Sequence, residues 1–158
     1  MSAPNEQMIY MRFRPAWTYI DAIREFGRSF CTCAFGQTEM GDRVQVVIQE
    51  ALENVVKYSL DGTNSELTIS IGPEPTQIEI AVTSRPDPAH ADYLRKEIES
   101  IRGADPAEAY LAAFQRAAEN PDGASRLGLA RMRLEGRVEL SVADAPDGRI
   151  SVIARGSA

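Results

Sequence analysis

The sequence predicts an α+β two-layer sandwich, a mixed or mostly antiparallel sheet with helices on one face. Three observations predict it. Five short segments alternate apolar and polar residues, the period of half-buried strands. A long central segment repeats apolar residues at three- and four-residue steps, the period of an amphipathic helix. The segments fall in the order β-α-α-β-β-α-α-α-β-β with short turns between them, so strands near in sequence pair and helices cover one side.

Residues 8–13 alternate, contain Ile9, Tyr10 and Phe13, and read as a first strand, ended by Pro15. Residues 16–34 read as a helix with Trp17, Ile20, Ile23, Phe26, Gly27 and Phe30 on or near one face, expected in the core. Residues 35–38 break the pattern, and Thr38 is placed to cap a second helix. That second helix is the clearest element. Val44, Val47, Ile48, Ala51, Leu52, Val55 and Val56 mark one stripe, which stops near Ser59 before the turn at residues 61–64. Residues 67–71 and 78–82 alternate as two strands around a hairpin at 72–75.

Pro86 and Pro88 introduce a polar helix over 89–101. Asp105 caps a further helix with Pro106 at its first position, running to about Glu119. Residues 120–125 form a loop, Arg126 opens a shorter helix to about Glu135, and strands at 138–142 and 149–154 close the chain around the turn Pro146-Asp147-Gly148. No linker or repeat divides the chain, and 158 residues suit a single domain spanning 1–158.

Composition narrows the function classes. A net charge of −6 argues against non-specific nucleic-acid binding. The nearest approach to a basic cluster, Arg126, Arg131, Arg133 and Arg137, reads as a solvated helix face and loop. No apolar run approaches the ~20 residues of a membrane span, and the start does not read as a secretory signal. Cys31 and Cys33 read as reduced, partly buried thiols, and a cytoplasmic location is expected from them. With His90 the only histidine, no metal cluster and no Ser–His or Cys–His triad is supported.

The sharpest candidates for chemistry are Glu50 and Asn54 on the central helix. Four residues apart, they lie roughly 40° apart around the axis, both beside the apolar stripe at the boundary of core and solvent. The Asn54 amide oxygen suits Mg2+, a hard cation. The Glu50 carboxylate suits a general base.

The segment 49–59, QEALENVVKYS, resembles the N-box of the GHKL ATPases, the Bergerat-fold family of histidine kinases and anti-sigma-factor kinases. Within that family the chain is most similar to the SiaB-type kinases of bacterial partner-switching systems. The likeness is carried by 47–59, by VTSRPDP at 82–88 with the two helices after it, and by GASRLGLAR at 123–131. The resemblance implies a serine/threonine protein kinase that uses ATP and Mg2+ to phosphorylate a STAS-like antagonist protein. Glu50 is then the base and Asn54 the Mg2+ ligand. Residues 89–125 become a lid, and the first strand and helix serve a homodimer.

Other site residues are implied by the same likeness, each beside a structural reading. Lys57 either touches phosphate or lies in solvent. Ser84 and Asp87 either read adenine or shape a turn and cap a helix. Gly123 and Gly128 either admit phosphate to backbone N–H groups or, for Gly128, let helix and sheet pack closely. Arg126 either covers a phosphate or fills its site. The family's adenine-reading Asp is absent, replaced by Thr83-Ser84-Arg85. A second reading therefore stands beside the first: a degenerate module of the same fold that sequesters a partner without ATP turnover. A nucleotide-binding sensor without phosphate transfer is the third.

Overall fold

The computed structural model describes residues 7–72, 76–119 and 127–158. Strands β1 (Gln7–Phe13), β2 (Ser65–Ile71), β3 (Gln77–Ser84), β4 (Val138–Ala145) and β5 (Arg149–Ser157) form one sheet in the order β1-β2-β3-β5-β4. Every pairing is antiparallel, which settles the mixed-or-antiparallel expectation. Among the described residues five α-helices accompany it: α1 (Trp17–Phe35), α2 (Thr38–Tyr58), α3 (Pro88–Ile101), α4 (Pro106–Glu119) and α5 (Leu127–Gly136). No helix among the described residues is long and apolar enough to cross a membrane.

The strand alternation does what period two requires. Leu67, Ile69 and Ile71 of β2 are buried, as are Ile78, Ile80 and Val82 of β3, while the residues between them are half-exposed. The buried face meets α2, whose Val44, Val47, Ile48, Leu52 and Val55 complete the core. The β4–β5 turn is tight because Asp147 and Gly148 both take positive φ, 64° and 74°.

Close approach sets the layer of α1 on α2. A Cβ on Gly41 would lie 2.6 Å from the Arg28 carbonyl oxygen and inside contact with Thr32 Oγ1, and one on Gly27 would strike Ile48. The other side of α1 departs from expectation. Trp17 is 57% and Phe26 43% exposed, with Phe26 stacked beside Phe30, so only part of the predicted apolar face reaches the core. Gln37 rather than Thr38 precedes α2, and no side-chain cap forms there. Asp105 does cap α4, accepting a hydrogen bond from Glu108 N at 3.0 Å.

Two arginines from the expected solvated cluster or near it are structural. Arg133 is buried and donates to the carbonyls of Ile101 and Ala104 and to Glu139, tying the end of α3 to α5 and β4. It satisfies carbonyls that a helix end leaves open, so its burial corrects the solvated reading. Arg43 of α2 donates to Gly136 O, at the last residue of α5, and to Arg137 O just after it, and burial pushes its pKa down. The hairpin tip at 73–75 and the loop at 120–126 lie outside the described residues.

Candidate functional site

The second half of α2 carries the site. After the sealed positions Val47 and Ile48, the polar stripe Glu50, Asn54 and Lys57 runs along the helix edge at steps of four and three. Beneath it, the end of β3 and the start of α3 close a small apolar cavity. Asn54, Tyr58, Ser84, Pro86, His90 and Leu129 are among its lining residues. Its volume is about 20 Å3, room for about one water.

Asn54 therefore faces the cavity, and Ser84 meets it there from β3 with only 8% exposure. Asp87 does not join them. It caps α3, accepting from His90 N at 2.9 Å, which is the helix-capping reading of this residue. Lys57 is exposed, its ammonium 5.9 Å from the centre of the Trp17 ring, a cation–π distance. The solvent reading of Lys57 therefore describes its place in this structure. Gly123 and Arg126 lie outside the described residues.

Glu50 sits one turn before Asn54, against α5. Its Oε1 accepts from Arg131 Nη1 at 2.8 Å. Its Oε2 lies 2.7 Å from where a Cβ on Gly128 would stand, so a side chain there would displace the carboxylate. The glycine thus leaves room for the Glu50 carboxylate in its present place, a close approach of helix to side chain. Burial raises the Glu50 pKa more than the Arg131 hydrogen bond lowers it; neighbouring Glu53 raises it further, and Lys57 opposes. Arg131 in turn is shared: its Nε donates to Glu135 Oε2 at 3.0 Å. Burial pulls the Arg131 pKa down, but its bonds to Glu135 and Glu50 hold it above its ordinary value.

Three features around the candidate site escape the sequence reading. Tyr58 and His90 stack with ring centres 3.7 Å apart and planes 15° apart, and Tyr93 lies 5.7 Å beyond His90. The stack forms one wall of the cavity. Its only sequence signal is the step of four from Asn54 to Tyr58. The Arg131–Glu50 pair spans 81 residues of chain and has no local signal. On the far edge of α2, Arg24 donates to Gln49, and Gln49 donates to Glu53, fixing that flank to α1.

No group of three His, Cys, Asp or Glu among the described residues could hold a metal ion. A magnesium ion here would rest on the Asn54 amide, on waters and on the phosphates of a nucleotide, a donor set that Mg2+ accepts.

No protein-family model matches the chain, and no curated protein matches it. Among solved structures, a chain of the crystal structure of the SiaB-SiaC complex from Pseudomonas aeruginosa matches with a TM-score of 0.70 at 20% identity. The match covers 95% of this chain and 89% of that one. At that identity it establishes a shared fold, the α+β sandwich that the order of elements predicts, over nearly the whole length.

Proposed function

We propose that this chain is an ATP-dependent regulatory protein kinase of the anti-sigma and SiaB type, acting on a STAS-like partner in a partner-switching circuit. The observation that carries it is the pairing on α2: Asn54 faces a cavity shared with Ser84, and Glu50, one turn away, is held against a glycine of α5. A nucleotide lying along this edge would place its base toward Ser84 and its phosphates toward Gly128. Magnesium, when bound, would neutralise phosphate charge beside Asn54. Glu50 would accept the proton of a partner hydroxyl as its oxygen bonds the γ-phosphorus and the bond to the ADP oxygen breaks. The exposed Trp17, Tyr19 and Phe26 of α1 would serve a homodimer or the partner.

A second reading, a module that sequesters its partner without turnover, is favoured by the cavity. Small-molecule pockets span ~300–1,000 Å3, whereas this cavity holds about 20 Å3 beside the Tyr58–His90 stack. ATP entry requires α3 to swing and the stack to part. The two readings separate on phosphate transfer from labelled ATP to the STAS-like partner. The kinase reading predicts transfer by wild type and a loss of ~100-fold or more in Glu50→Gln, the general-base scale. Partner binding with no transfer establishes the module. Undiminished transfer by Glu50→Gln removes Glu50 as base.

A further inference from the structure

The pairing of Glu50 with Arg131 has a cost for the proposed chemistry. A base whose oxygen is bonded to a guanidinium at 2.8 Å is oriented toward α5 and is a weaker proton acceptor. The same guanidinium is the group best suited to a phosphate, since its planar fork matches phosphate oxygens. Arg131 is not locked in place. Its side chain is 36% exposed, while Glu50 is 13% exposed, so Arg131 is the partner free to move. Its other hold, Glu135, is itself 43% exposed on the same helix. Arg131 also lies one turn past Gly128, the glycine that lets α5 approach Glu50.

We infer that Arg131 is a phosphate-operated latch on Glu50: without nucleotide it clamps the carboxylate, and a polyphosphate draws it off and frees the base. The inference rests on the kinase reading of the site and adds its regulation. Binding and activation become one event, because the group that recognises phosphate is the group that silences the base. Arg131 is thus a positioning residue for Glu50 in one state and a phosphate ligand in the other. The charges around the pair are Glu135 on α5 and Glu53 and Lys57 on α2, with Arg24 of α1 reaching them through Gln49.

The test is a binding comparison, independent of turnover. Affinities for Mg-ATP and for adenosine are measured by calorimetry on wild type, Glu50→Gln, Arg131→Met and Arg131→Lys, each first checked for cooperative unfolding. A latch predicts that Glu50→Gln tightens Mg-ATP by ~10-fold or more, the scale of a hydrogen bond to a charged group, and leaves adenosine unchanged. Arg131→Met weakens Mg-ATP by a similar factor and leaves adenosine unchanged, and Arg131→Lys falls between. Mg-ATP binding by Glu50→Gln alone, with wild type silent, also supports the latch, since the clamp is then too tight to open. Arg131→Met shifting ATP and adenosine alike, or neither, overturns the latch and leaves the kinase reading standing. Binding by none of the four proteins overturns both.

Discussion

Residues 40–48 and 50–58 belong to one helix, α2, yet the first run is sealed and the second is polar and half-open. In the first, Met40, Val44, Val47 and Ile48 are at most 2% exposed, and Gly41 lets the α1 backbone approach with no room for a Cβ. In the second, Leu52 and Val55 continue the apolar stripe, but Glu50, Asn54 and Lys57 occupy its edge and a cavity opens below. The contrast teaches how one amphipathic helix serves two purposes. Packing that tolerates nothing anchors the near half, and the far half then presents side chains with a fixed direction.

The largest expected effect lies in the sealed half. Ile48 is 0% exposed and rests against Gly27 and the sheet, so Ile48→Ala should destabilise the protein by ~2–5 kcal/mol in urea unfolding. A loss under ~1 kcal/mol would mean that the two halves are equally loose.

A smaller and pH-dependent effect is expected at Glu50. Its folded pKa is raised above 4.5, so the folded state keeps a proton that the unfolded chain releases. The stability this brings is full below pH 4.5 and is lost as pH rises through the folded pKa. Glu50→Gln should therefore gain on wild type as pH is raised from 4.5 toward neutrality, and the check is unfolding free energy against pH. Parallel curves for the two proteins would show Glu50 to be solvated.

The mildest probe needs no mutation. Cys31 of α1 is 0% exposed and burial pushes its thiol up to about 12, while Cys33 is exposed. A thiol reagent should label one cysteine in the native protein and both after denaturation. Rapid labelling of both would show that the α1–α2 layer opens readily.

The sheet, the five helices and the α2 stripe are legible in the sequence because each depends on local period and local turn chemistry. Asp105 capping α4 and Asp147-Gly148 turning β4 into β5 can be read from a few adjacent residues. Periodicity misplaces Trp17 because it marks a face without saying what covers it. Arg133 escapes a local reading because carbonyls and a carboxylate from distant segments take its donors. Asp87 is legible as a helix cap, and the bond from His90 N shows that cap. At the candidate site, a spacing of four is enough to find Glu50 and Asn54. It does not find Arg131 or the Tyr58–His90 stack, since their partners come from other elements.

Melting wild type and Asn54→Ala with and without Mg-ATP tests the central claim most directly, that a nucleotide lies along the second half of α2. Ligand at ~100 times its Kd adds about 2.7 kcal/mol, which should raise the wild-type Tm by roughly 5–10 °C. In Asn54→Ala the part of the shift that depends on magnesium should vanish. No wild-type shift at millimolar nucleotide, or an equal magnesium-dependent shift in both proteins, would contradict it.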